Sequence, residues 1–159
     1  MRPTIVFGRI GGIPVGAHWS ALAGVGLIAV LLATTVLPVL APGRDATVYA
    51  LAAGAAAVVF ALSLLAHEVA HAVLALRSGL EVRRITLWLL GGVSELGGKP
   101  SGPGVEMRVA VAGPLVSLAL GGALGALAAV GTASGWTPVL VAALSWLATM
   151  NVVLAVFNL

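Results

Sequence analysis

Four long apolar runs constrain this chain more than any other feature. They cover about Ala17–Ala41, Ala46–Leu76, Val105–Val130 and Thr137–Leu159. Each exceeds the ~20 residues that a helix needs to cross ~30 Å of hydrocarbon. Backbone N–H and C=O groups find no water in lipid, so such runs must be helices that satisfy their own hydrogen bonds. Composition agrees with this. Of 159 residues 60% are hydrophobic and 8% are charged, whereas soluble chains carry about 25% charged residues. Thirteen charges cannot cover a water-exposed surface without leaving large apolar patches. A mean hydropathy of +1.15 excludes disorder as well. The sequence predicts an all-α membrane protein with four transmembrane helices, organised as a single membrane-embedded core over residues 1–159.

The basic residues orient the four spans. Arg2 and Arg9 precede the first span, and Arg77, Arg83, Arg84, Lys99 and Arg108 lie between or beside the second and third. Only Arg44, next to Asp45, falls on the opposite side. By the positive-inside rule the richer face is cytoplasmic, which puts both termini in the cytoplasm. A multi-pass protein of a bacterial cell membrane is expected. The net charge of +3 does not indicate a nucleic-acid partner, because the basic residues form no stripe and do not interleave with aromatics. Cysteine is absent, which excludes disulfides, thiolate nucleophiles and Cys-type metal sites. The first apolar run starts late, so a cleaved signal peptide is not expected.

Two segments do not read as membrane helices. Residues Met1–Gly16 read as a short amphipathic or extended approach with a turn, and His18-Trp19 falls where an interfacial aromatic belt would lie. Residues Gly79–Gly104 carry β-branched and aromatic side chains around Gly91-Gly92, then glycines and prolines. This predicts a short β-hairpin or re-entrant loop between spans two and three, followed by a link.

The second span contains His67-Glu68-Val69-Ala70-His71, an H-E-x-x-H pattern. Four residues advance a helix by about 400°, so both imidazoles point the same way one turn apart. Their nitrogens can then meet one zinc at ~2.0–2.1 Å. Glu68 can reach a metal-bound water without being a ligand and act as general base. The setting strengthens this reading. Ionisable residues inside an apolar span cost several kcal/mol and are functional hypotheses by default. At 1.5 Å per residue, His71 and His67 lie about 9–15 Å inside Arg77.

Here the residues resemble the site-2 protease family, the intramembrane zinc metalloproteases. His67-Glu68-Val69-Ala70-His71-Ala72 resembles the zinc-binding helix. Leu89-Leu90-Gly91-Gly92-Val93 resembles the glycine pair of a membrane-associated hairpin. Ala112-Gly113-Pro114-Leu115-Val116-Ser117 resembles the A-G-P helix start. Residues Asn151–Leu159 resemble the segment that leads into N-x-x-P-x-x-x-L-D-G, and Gly8–Val15 with His18-Trp19-Ser20 resembles the branch without a PDZ insert, often followed by CBS domains. The resemblance implies an intramembrane zinc endopeptidase that cuts transmembrane helices of other membrane proteins. It implies Zn2+ as cofactor, His67 and His71 as ligands and Glu68 as the catalytic residue. It also implies substrate or oxyanion positioning by Asn151, Asn158, Gly91 and Gly92.

One departure follows from the same comparison. In the family the Asp of L-D-G is the third ligand, and here Asn158 and Leu159 align with the first two positions of that motif, so the Asp position is not reached. The sole Asp, Asp45, lies on the wrong face, so the chain is expected to be truncated before the motif. His18 is a substitute ligand or an interfacial anchor. The rival to the protease reading is a non-catalytic helical bundle that binds transmembrane segments or metal.

Other residues also carry two readings. Gly113, Ser117, Gly121 and Gly125 form a small-residue stripe read as close helix packing. The hairpin over Ile85–Leu96 offers an edge for an unwound substrate strand, or is purely structural. Asn151 and Asn158 position substrate or only bond between helices. Glu95 reads as an unpaired, solvated acid.

Overall fold

A computed structural model describes residues 3–89, 91–98 and 102–159. The chain order is β1 (Ile5–Ile10), β2 (Ile13–Ala17), α1 (Trp19–Leu40), α2 (Ala46–Arg77), β3 (Val82–Trp88), β4 (Gly91–Leu96), α3 (Pro103–Ala133) and α4 (Pro138–Phe157). All four helices are long and apolar enough to cross a membrane. They begin and end within a few residues of the apolar runs. Pro103 and Pro138 open α3 and α4 at positions whose N–H has no helical partner to lose.

Within α1 the turn widens over Leu32–Val36. Pro38 has no N–H for the carbonyl four residues back, and its ring crowds that carbonyl. Thr34 and Thr35 meanwhile donate to the Val30 and Leu31 carbonyls. A wider turn relieves both demands.

The inward stripe of α2 is Tyr49, Ala53, Ala56, Ser63 and His67, which recurs on a helical spacing and is mostly small. Small side chains let neighbouring helices approach, and packing against them replaces the hydrophobic effect, which lipid does not supply. Away from the sheet, Leu32, Leu37, Tyr49, Ala53, Val139, Ala143 and Leu147 form one core. The Tyr49 hydroxyl donates to the Ala41 carbonyl at 2.7 Å and accepts from the Arg44 N–H, which latches the α1–α2 turn.

The expected hairpin between spans two and three forms as β3–β4, antiparallel, with Trp88 opposite Gly91 and Leu87 opposite Gly92. The approach segment is more ordered than the sequence suggests. It folds into a β1–β2 hairpin turned by Gly11 and Gly12, both at positive φ. β2 then pairs in parallel with β3, Val15 opposite Ile85 and Ala17 opposite Leu87. The result is one sheet of order β1-β2-β3-β4 in place of an isolated hairpin. Its buried Ile13, Val15, Val82 and Ile85, with Leu80 just before β3, pack on Ala72 and Ala75 of α2. The sheet therefore sits against the end of the helix that carries the H-E-x-x-H residues.

Arg9, Arg77, Arg83, Arg84 and Arg108 belong to the sheet or to the helix ends beside it, whereas Arg44 lies in the turn at the other end. Arg2, Leu90, Lys99 and Pro100 lie outside the described residues. Glu95 is not the unpaired acid expected. It faces Arg84 across the β3–β4 register, with the guanidinium Nε donating to its carboxylate at 3.1 Å.

Candidate metal centre

Helices α2 and α3 meet through two stripes of four-residue spacing. From α2 come His67 and His71, and from α3 come Val109, Gly113 and Ser117. His71 faces Val109, with Nδ1 to the carbonyl oxygen at 2.7 Å. His67 faces Ser117, with Nδ1 to Oγ at 2.9 Å. The two Nε2 atoms then point at each other, 3.0 Å apart, with the rings inclined at 75°. Gly113 lies between, over the Nε2 pair. A β-carbon there would stand 2.6 Å from His67 Nε2 and closer still to His71 Nε2. The sequence reading of Gly113 and Ser117 as packing residues alone is incomplete, because both also touch the imidazoles. The second half of that stripe does pack: Gly121 lies against the Ala148 carbonyl and Gly125 against the Ala148 side chain, both on α4.

His67 is buried and His71 half-buried. Glu68, one step round the helix, points to the sheet. Its Oε2 accepts from the Ser94 hydroxyl of β4 at 3.0 Å. Gly92 makes this approach possible, since a β-carbon there would stand 2.6 Å from Glu68 Cδ. Gly91 takes φ 148° at the hairpin turn, a conformation that favours glycine.

Asn151 is fully buried on α4. Its Nδ2 donates to the Leu147 carbonyl at 2.9 Å and lies 3.4 Å from Ser63 Oγ, one helical turn before His67. Its Oδ1 has no hydrogen-bond partner. Asn158 is exposed at the end of α4, and its Nδ2 donates to the Leu154 carbonyl. The structure thus gathers His67, His71, Glu68 and Gly92 in one place, sets Asn151 beside it through Ser63, and leaves Asn158 at the helix end. His18 caps α1: its Nδ1 accepts from the Ser20 N–H and lies 2.8 Å from the Ser20 hydroxyl. Among the described residues no three His, Cys, Asp or Glu are placed to hold one metal ion together, so Glu68 stands beside the two histidines without being a third ligand.

The donor set fits a metal ion. Two imidazole nitrogens converge, their other nitrogens are occupied by outer partners, and a glycine leaves the space above them open. Two nitrogens 3.0 Å apart fall within the span of one ion bound at ~2.0–2.1 Å. Fixing a ligand histidine through its second nitrogen is how proteins set the tautomer and aim the ring. Sequence reasoning missed Ser117 and Val109 as those partners. The four-residue repeat around Gly113 was the one available signal.

The sequence profile of Peptidase family M50 matches residues 55–136, which contain both stripes. The chain belongs to this peptidase family. Over its whole length it is 48% identical to a Mycobacterium tuberculosis protein named "Putative zinc metalloprotease Rip3", covering 40% of that protein. It is 36% identical to "Putative zinc metalloprotease sll0528" of Synechocystis, covering 41% of it. The M50 chain therefore spans about two fifths of the length of these relatives. Its fold is similar to that of the "Site-2 Protease from Methanocaldococcus jannaschii", with a TM-score of 0.61 over 96% of this chain and 62% of that one, at 23% identity. The four apolar helices and the M50 fold make it a multi-pass membrane protein, and the resemblance to site-2 proteases holds.

Proposed function

We propose that residues 1–159 act as one membrane-embedded core of a zinc endopeptidase that hydrolyses peptide bonds in or near transmembrane helices of other membrane proteins. The observation that carries this reading is the convergence of His67 and His71 Nε2 beneath Gly113, with Glu68 alongside. The names of the M50 relatives give zinc as the metal. His67 and His71 would hold it through Nε2, and Val109 and Ser117 would hold the rings in place. When bound, zinc polarises a carbonyl and lowers the pKa of water toward ~7.

The remaining chemistry belongs to the chain. Ser94 occupies Oε2 of Glu68, which leaves Oε1 to take the proton of the attacking water. The water oxygen bonds to the scissile carbon, and Glu68 returns the proton to the departing amide nitrogen. A helical substrate hides its carbonyls in its own hydrogen bonds, so it must unwind locally. β4 is an edge strand with β3 on one side, and Gly92 and Ser94 of β4 already lie on Glu68. An extended substrate segment pairing with that edge would pass beside the site. Asn151, with a free buried Oδ1, is suited to orient substrate through Ser63 and its neighbours. The basic face that carries the sheet is the cytoplasmic one by the positive-inside rule, and four crossings return the chain to it. The bacterial origin of Rip3 supports a bacterial cell membrane.

The test is cleavage of a reporter transmembrane peptide by the intact protein in liposomes. Glu68→Gln should keep its metal and lose cleavage by about 10²–10⁴-fold. His67→Ala should lose the metal itself. Cleavage retained by the Gln variant would remove Glu68 from this role, and wild-type protein without zinc would overturn the reading.

A further inference from the structure

The His18-Trp19-Ser20 segment takes no part in the metal centre, yet it is tied to the hairpin that lies on Glu68. β2 and β3 pair in parallel as far as Ala17 opposite Leu87. The His18 N–H then donates to the Leu87 carbonyl at 2.8 Å. Beyond this point the chain turns into α1, and its backbone no longer follows β3. The Leu89 N–H, two residues further on, donates to the Ser20 hydroxyl at 3.2 Å instead. A side chain of the first helical turn thus continues a ladder that the backbone has left.

The hydroxyl is set for this. The Ser20 N–H donates to His18 Nδ1, so Nδ1 offers a lone pair, and the Ser20 O–H, 2.8 Å away, donates to it as well. The oxygen is left to accept from Leu89. One turn on, Gly24 lets the Leu89 carbonyl come close: a β-carbon there would stand 3.1 Å from that oxygen. Beside this contact lies an apolar gap between α1 and α2, lined by Val25, Ile28, Phe60, Leu64 and Leu89. Packing alone therefore holds this end of the hairpin loosely, and the Ser20 hydrogen bond fixes it. An N–H at the lipid boundary needs such a partner.

β4 starts at Gly91, opposite Trp88, and Gly92 lies on Glu68. The place of the hairpin's end thus sets where the β4 edge begins relative to the general base. A paired strand that slips in register brings a different peptide bond to Glu68. We propose that Ser20 is a positioning residue that ties the end of the β3–β4 hairpin to α1 and so selects which peptide bond of an extended substrate segment meets Glu68. This rests on the protease reading above and on strand pairing at the β4 edge.

Two measurements on the full protein in liposomes test it: cleavage of the reporter transmembrane peptide, with products identified by mass spectrometry, and amide hydrogen exchange at Leu89. Ser20→Ala should keep its zinc, raise KM by about 3–10-fold with little change in kcat, and cut at bonds flanking the wild-type one. Its Leu89 amide should exchange about 10-fold faster. Ser20→Thr, which restores the hydroxyl, should recover the single cut, the KM and the exchange rate. An Ala variant that cuts only the wild-type bond, or whose Leu89 amide exchanges at the wild-type rate, would overturn the proposal while leaving wild-type cleavage intact. A Thr variant as impaired as the Ala variant would do the same. Wild-type protein that cleaves nothing would overturn both the protease reading and the selection of bonds.

Discussion

Gly113 of α3 lies so close to His67 of α2 that a β-carbon on the glycine would stand 2.6 Å from the imidazole Nε2. Contact at that distance is not available to carbon and nitrogen without displacement, so the absence of a side chain here is a condition of the site. The same glycine lies between Val109 and Ser117, which hold the far sides of the two rings. One helical stripe thus both orients the imidazoles and leaves room above them.

Gly113→Ala should therefore act on metal more than on the fold. Overpacking costs typically about 1–3 kcal/mol, which a four-helix membrane core can absorb. The methyl group, however, occupies the space in front of both Nε2 atoms. Metal analysis of the purified variant should find little zinc, with thermal unfolding moved only modestly. Full zinc occupancy would show that the rings turn aside and bind elsewhere.

Gly92→Ala separates the general base from the metal. The new methyl would meet the Glu68 side chain and push β4 away, weakening the Ser94 hydrogen bond to Oε2. Zinc should remain bound, because the partners that hold both histidines, Ser117 and Val109, lie on α3. A displacement of about 1 Å at a catalytic group can cost ~10²-fold in rate. Single-turnover cleavage measured beside zinc content should show that loss at unchanged occupancy, and a variant with wild-type turnover would unlink β4 from catalysis.

Asn151 tests whether a buried polar group is kept for function. Its Oδ1 has no partner while the residue is fully buried. An unsatisfied buried acceptor costs about 1–3 kcal/mol. Asn151→Leu, close in size, should thus leave thermal stability equal or raised while cleavage falls at least ~10-fold, about 1.4 kcal/mol at the barrier. Lower stability with unchanged cleavage would make Asn151 an interhelical strut.

Glu95 provides the contrasting case. Its ion pair with Arg84 is a third exposed on each side, and pairs of that kind contribute about 0–1 kcal/mol. Glu95→Gln should change neither zinc content nor cleavage, and should shift thermal unfolding by a degree or two at most. A large loss of cleavage would place this carboxylate in the substrate path.

Much of this was readable before any fold was known, and the reason is that lipid is a strict solvent. It forces apolar runs into helices, so the four spans follow from run length alone. Helical geometry then puts His67 and His71 on one face and Glu68 beside them, because residues four apart must align whatever the helix packs against. The β3–β4 hairpin was readable for a similar local reason, from Gly91-Gly92 within a β-branched stretch.

Contacts between distant segments were not readable. The pairing of β2 with β3 joins Val15 to Ile85 across two membrane spans, and no local pattern records a parallel register of that kind. Glu95 looked solitary because its partner Arg84 is brought opposite only by the hairpin register. Ser117 looked like one small residue among several because its hydroxyl gains meaning only when α3 lies antiparallel to α2 and sets it against His67 Nδ1. The sequence by itself determined the spans and the direction of the two imidazoles, since both depend on backbone geometry within one segment. Only the tertiary structure decided which groups hold their far nitrogens, where Glu68 points and what space remains above the pair, since those depend on side chains that three separate segments bring to one place.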